Sequence, residues 1–151
     1  NNLGSAAALS IAALNSARLA MRKHTDLDGA SMGITAKYLF VGSALADVAA
    51  QLIQAPYQPN TAGNVTPDYI KALTPVYERR LDALGDTAWF LFAEPSSVDG
   101  RGMQHAFLQG QEEPFTDQET SFDIDGTKYK VRHDFGVGAT DYRFGYKNPG
   151  A

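Results

Sequence analysis

The sequence predicts an α+β fold, and three observations predict it. Two stretches with apolar residues at helical spacing fall within the first 54 residues. The remainder is written in short apolar or alternating runs punctuated by Gly, Pro, Asn and Asp. Asp125-Gly126 sits between two alternating runs, a strong short-range hairpin signal. Helices grouped early and strands grouped late give α+β rather than an alternating α/β chain. At 151 residues and 44% apolar, the chain is long enough for one globular domain with a core.

Each element follows from its own stretch. Ser5 is placed to cap a helix running to about Lys23, with Leu9, Ala13, Ala17 and Ala20 on one stripe and Ile11 and Leu14 widening it. Arg18, Arg22, Lys23 and His24 suit the negative end of that helix. Residues 25–36 form a loop around Gly29 and Gly33. Lys37 to Val41 reads as a short buried strand, Gly42 as a turn, and Ser43 as the cap of a second helix from Ala44 to about Gln54. Leu45, Val48, Ala49, Leu52 and Ile53 make its apolar face. Residues 55–68 carry Pro56, Pro59, Gly63 and Pro67 and read as an irregular surface loop. Strands are expected at Pro75 to Arg79, at Ala88 to Phe92 and at Met103 to Leu108, with a turn-rich loop at 94–102. The all-apolar 88–92 run implies burial on both faces. A last strand is expected from Thr140 to Tyr146, with Tyr142, Phe144 and Tyr146 on one side.

A two-residue turn at Asp125-Gly126 dictates a register. Ile124 then faces Thr127, Phe122 faces Tyr129 and Thr120 faces Val131 on an apolar side. On the other side Asp123 faces Lys128, Ser121 faces Lys130 and Glu119 faces Arg132, mostly opposite charges. His133 falls on the apolar side, opposite Gln118.

Composition excludes several functions. Thirteen Lys and Arg against seventeen Asp and Glu leave a net charge of −4, which disfavours binding free nucleic acid through bulk charge. The absence of cysteine removes disulfide scaffolds, thiolate zinc sites and cysteine nucleophiles, and suits a reducing compartment. The longest uninterrupted apolar run, Ala88 to Ala93, is far short of the roughly 20 residues a membrane span needs, so no membrane role is expected. The opening Asn1-Asn-Leu-Gly has neither an initiator Met nor a signal pattern, so the chain reads as part of something longer.

Motifs that carry chemistry are imitated but not completed. His24 to Gly29 and Ser121 to Gly126 resemble the start of calcium loops, yet their twelfth positions are Thr35 and Arg132 where a bidentate Glu is needed. Gly136-Val-Gly138 would open a phosphate loop, but Asp141 stands at the third glycine position. Ser43 lacks the G-x-S-x-G context of a nucleophile elbow. His24, His105 and His133 (the last beside Asp134) show no spacing that selects a catalytic set. The acidic run Glu112, Glu113, Asp117, Glu119, Asp123 and Asp125 would suit a metal or cationic partner, but is more simply matched by Lys128, Lys130 and Arg132. No catalytic, cofactor-binding or metal-ligating residue is therefore assigned, no cofactor is expected, and the chain is not expected to be an enzyme. Phe107, Phe115, Phe122, Tyr129, Phe135, Tyr142, Phe144 and Tyr146 crowd the last part of the chain. A thin sheet so rich in large side chains calls for something to pack on.

A resemblance rests on an ordered set of segments: Lys37-Tyr-Leu-Phe-Val41, Leu81-Asp82, Trp89 to Pro95, Phe122 to Gly136 with its V-R-H-D-F-G stretch, Asp141-Tyr-Arg143 and Tyr146 to Gly150. In that order these resemble the C-terminal half of tailed-phage and prophage major capsid proteins. The nearest group is the Mu-type major head subunit, including forms fused to a ClpP-like prohead protease. The resemblance implies the Hong Kong 97-type capsid fold, with residues 1–110 like an axial domain and 111–151 like a terminal hairpin and strand of the peripheral-domain sheet. It implies a structural subunit that joins copies of itself into pentamers and hexamers, enclosing double-stranded DNA without specific contacts. The expected location is the virion capsid, and the host cytoplasm during assembly. An arm, an E-loop, a long helix and a scaffolding or protease region would lie upstream. The alternative is a hydrolase, the protease part of such a fusion, which requires a paired nucleophile and base. The 55–68 loop, the 94–102 loop and the exposed face of the terminal sheet are the expected contact surfaces.

Overall fold

A computed structural model describes residues 4–54, 67–99, 102–121 and 125–151, Ser121 by its backbone alone. The chain divides into two units, residues 1–102 with 141–151, and residues 103–140. Helix and sheet are mixed, as the α+β class requires.

The larger unit is built on a four-stranded sheet in the order β2 (Thr74–Tyr77), β1 (Ala36–Val41), β3 (Trp89–Ala93), β8 (Gly145–Asn148). β1 runs parallel to β2 and antiparallel to β3, and β3 is antiparallel to β8. Leu39 lies opposite Leu91, and Val41 opposite Trp89, so these four share one face. That face joins Leu14, Ala17 and Met21 of α1 (Ile11–Arg22), Ala49 and Ile53 of α2 (Ala46–Gln54) and Ile70 of α3 (Asp68–Lys71) in one buried cluster. The i, i+3, i+7 spacing of the α1 residues explains why an Ala-rich helix docks there. The Arg18 guanidinium lies 4.1 Å from the centroid of the Tyr69 ring, fastening α3 to α1.

The opposite face carries Tyr38 across from Phe92 and Phe40 across from Phe90. Phe40 and Phe92 meet edge-to-face at 4.9 Å, and Phe92 stacks on Phe144 at 5.4 Å. This face is only half-buried, so the expectation that the 88–92 run is buried on both sides is corrected. Aromatic side chains shield one another there.

Several boundaries move for reasons outside their own segments. The first helix begins after Ser10, whose Oγ accepts from the Ala13 N–H at 3.2 Å, not after Ser5. Residues 4–7 are drawn off by the far end of the chain. The Gly4 N–H donates to the Lys147 carbonyl at 2.8 Å. Asn148 Oδ1 accepts from the Ala7 N–H at 3.1 Å, and its Nδ2 donates to the Ser5 carbonyl at 2.9 Å. Ser43 is not the helix cap either: Gly42 occupies that position ahead of a 3-10 turn, and the Asp82 carboxylate accepts from the Ser43 N–H at 2.7 Å. Val48 is exposed rather than part of the apolar face. The expected 75–79 strand ends at Tyr77, and a 3-10 turn follows over Arg79–Leu84. The expected strand over Thr140 to Tyr146 becomes a 3-10 turn, Tyr142–Phe144, followed by β8. Asp141 Oδ1 accepts from the Arg143 N–H at 2.9 Å, an Asx-type turn that stops extension.

The smaller unit holds two antiparallel ribbons. β4 (Met103–Phe107) pairs with β7 (Phe135–Ala139), and β5 (Phe115–Ser121) pairs with β6 (Gly126–Arg132). β7 absorbs Gly136 and Gly138, so that stretch is a strand rather than a loop. The β5–β6 register differs from that of the two-residue turn: Ser121 lies opposite Gly126 and Thr120 opposite Thr127. Phe122, Asp123 and Ile124 lie outside the described residues. The expected register would have set Asp117 opposite Asp134, whereas the observed one sets it opposite Lys130. Gln118 faces Tyr129, so His133 is not its partner; His133 lies in the link between β6 and β7.

Candidate functional site

Among the described residues the candidate catalytic side chains are not brought together. Ser43 is exposed at the start of its turn, and among the described residues its N–H, not its hydroxyl, is engaged. His24 packs edge-on to Tyr142 at 6.4 Å, and its Nε2 is buried without a hydrogen-bond partner among the described residues. Burial, with the nearby Arg143 charge, holds the His24 imidazole below its ordinary pKa, despite an opposing pull from Asp141. His105 and His133 belong to the smaller unit and are exposed. His105 meets Phe107 edge-on at 5.4 Å, and Phe107 stacks on His133 at 5.6 Å. Among the described residues no serine hydrogen-bonds to a histidine.

The first of the two calcium-like stretches is occupied by backbone duties. In the first, Asp26 Oδ1 accepts from the Leu27 N–H at 2.8 Å and faces Arg143 at 3.6 Å. Gly29 turns at φ +80, and its N–H donates to the Asp26 carbonyl. In the second, the residues before Asp125 are partly outside the described set. Among the described residues, no three or more His, Asp or Glu groups gather as a metal site. No helix among them is long and apolar enough to cross a membrane. An open depression of about 720 Å³ is lined by residues 110–115 and Arg132. Arg132 is already engaged there, donating to Gln111 Oε1 at 3.0 Å and facing Asp134 at 3.6 Å. The depression holds no paired nucleophile and base.

What the molecule offers instead is surface. Among the described residues of 103–140, not one is buried. On the β4–β7 ribbon, Met103 faces Ala139, His105 faces Val137 and Phe107 faces Phe135, an apolar side open to solvent. Phe135 is 61% exposed and Val137 59%, values that a sheet face with a covering layer would not show. On the β5–β6 ribbon Tyr129 is 78% exposed and Val131 69%. Two-stranded ribbons with no core of their own are marginal in water, so these faces need company.

The expected contact loops fare differently. The 55–68 loop lies largely outside the described residues. The 94–102 loop is tied down at its start: the Ser97 hydroxyl donates to the Glu94 carbonyl at 2.7 Å, Lys37 pairs with Glu94 at 3.3 Å, and Val98 is buried.

The family model described as "Phage capsid protein" matches residues 1–148. The chain belongs to the phage capsid protein family. Among curated proteins and among solved structures, nothing matches. The role of this capsid protein is structural, its partner is its own kind, and its place is the virion capsid. The exposed apolar ribbons are intelligible in that light, since a shell subunit buries much of its surface only against other subunits. Sequence reasoning foresaw the terminal aromatic crowd but missed β7, whose alternating glycines depress strand propensity. The signal that would have found it is the pairing of Phe135, Val137 and Ala139 with the odd residues of 103–107.

Proposed function

We propose that this capsid protein is a shell subunit of the Hong Kong 97 type and of the Mu-type major head group. Copies join into pentamers and hexamers that close around double-stranded DNA without gripping particular sequences. In this reading the larger unit corresponds to axial-domain structure, and the ribbons of 103–140 serve as the surfaces offered to neighbours. The carrying observation is that 103–140 contains no buried residue among those described, in a chain matched to a capsid family along nearly its whole length. A ribbon unit that cannot bury its own apolar side chains is built to be completed by another subunit. A net charge of −4 is compatible with a wall that faces packaged DNA and does not bind it tightly. The subunit performs no reaction, and any scaffolding or protease function belongs to sequence upstream; assembly proceeds in the host cytoplasm. No observation favours the hydrolase reading, which needs a nucleophile joined to a base.

The test is to express the full-length protein and examine it by electron microscopy and analytical ultracentrifugation. Rings or closed shells are expected. A monomer at every concentration, with no particle under any assembly condition, refutes the proposal.

A further inference from the structure

The β5–β6 ribbon is split by charge along its length. β5 carries Asp117 and Glu119 and no base; β6 carries Lys128, Lys130 and Arg132 and no acid. Odd positions of β5 lie opposite even positions of β6, so all five charges project from one face. Arg132 is taken up by Gln111, by Asp134 and by the Phe115 ring at 5.7 Å. Asp117, Glu119, Lys128 and Lys130 make no ion pair within 4.0 Å among the described residues. Each strand also has a free edge, because among the described residues β5 pairs with β6 alone. One edge is therefore acidic and the other basic.

An unpaired edge is a template for another strand. Lysines on an edge ordinarily guard it, and here they guard β6 against a second β6. The carboxylates guard β5 against a second β5 in the same way, because like charges directly opposite repel. The unlike edges attract. A two-fold symmetric contact through one kind of edge is thus disfavoured, and a head-to-tail contact, β5 of one copy beside β6 of the next, is selected. Since β5 and β6 run antiparallel, a file of such ribbons is antiparallel throughout, with the acids and bases of neighbours on the same face. Head-to-tail contacts of this kind generate rings when the rotation per copy closes.

We infer that the β5 edge of one subunit docks on the β6 edge of a second copy of this chain, with Asp117 and Glu119 against Lys128 and Lys130. The inference rests on the proposed shell-subunit reading and specifies one of its contacts.

The experiment uses the full-length protein in three charge variants carrying dye labels: D117K/E119K, K128E/K130E, and the fourfold swap of both pairs. Each single-strand reversal should raise the concentration needed for assembly by about tenfold or more. A 1:1 mixture of the two reversals should recover assembly, because each supplies the edge the other lacks. The fourfold swap should assemble with itself yet segregate from wild-type subunits, giving particles of one colour. Particles in which swapped and wild-type chains mix freely overturn the inference, as does a reversal that assembles at wild-type concentration. Neutral variants, D117N/E119Q and K128Q/K130Q, settle the case if a reversal disrupts the ribbon itself. Each should raise the required concentration about three- to tenfold, and an unchanged requirement overturns the inference. Failure of the wild-type protein to assemble would instead count against the shell-subunit reading.

Discussion

Removing the Asn148 side chain should cost the larger unit about 3 kcal/mol of stability. Asn148 is 2% exposed, and its amide joins two distant parts of the chain. Oδ1 accepts from the Ala7 N–H at 3.1 Å and from the Gly150 N–H at 2.9 Å, while Nδ2 donates to the Ser5 carbonyl at 2.9 Å. Asn148→Ala deletes all three bonds. A hydrogen bond contributes roughly 0.5–1.5 kcal/mol net, and a donor left buried without a partner costs roughly 1–3 kcal/mol. Gly150 is buried and bears that larger loss, whereas Ser5 is exposed and Ala7 half-buried, so water repays part of theirs. The assay is urea unfolding followed by the fluorescence of Trp89, which is the one tryptophan of the chain and is fully buried. Trp89 Nε1 donates to the Ala7 carbonyl at 3.1 Å, so the probe sits on the segment that Asn148 secures. Trp89→Phe, followed by circular dichroism, should cost about 1 kcal/mol or more through that bond and lost packing. The two substitutions should be sub-additive, because freeing residues 4–7 removes what both interactions hold. A loss below about 1 kcal/mol for Asn148→Ala, or full additivity, would refute the account of these residues as one clasp.

Further outcomes follow from single contacts. A Cβ at Gly42 would strike the Asp82 carboxylate, so Gly42→Ala should destabilise by about 1–3 kcal/mol in the same urea assay. Leu91, fully buried on the helix-covered face of the sheet, should cost about 2–5 kcal/mol as Leu91→Ala, seen as an earlier thermal midpoint by calorimetry. The folded state holds His24 below the imidazole pKa of the unfolded chain, so the unfolded chain takes up the proton first as pH falls. Wild-type stability should therefore decline relative to His24→Gln from about pH 6.5 downward, and level off below the folded pKa. Equal pH profiles for the two proteins would show that burial of His24 does not govern this region.

How much of this was legible depends on the range of the forces involved. The helical stripes, the Tyr38-to-Val41 and Trp89-to-Phe92 strands and the hairpin rest on neighbours within a few residues, and they were readable. The hairpin register was not. A two-residue turn is the favoured local solution at Asp125-Gly126, yet the observed register sets Asp117 opposite Lys130 instead of Asp134. No catalytic side chain was expected; the exposed terminal sheet was an expected contact surface, and its β4–β7 part emerged only when those strands were seen to pair across the residues between them.

The sequence alone determined which residues share a face and which strand carries which sign of charge. The change of register is an even number of residues, so the acids of β5 and the bases of β6 stay on the same side whichever turn forms. Tertiary structure decided where segments begin and end. Ser5 could cap a helix as well as Ser10, but Asn148, 143 residues away, claims the backbone at Ser5 and Ala7. Alternation at 140–146 reads as strand until the Asp141 side chain closes a turn. Local propensity differs by only a few tenths of a kcal/mol between such choices, and one buried hydrogen-bonded amide is enough to overrule it.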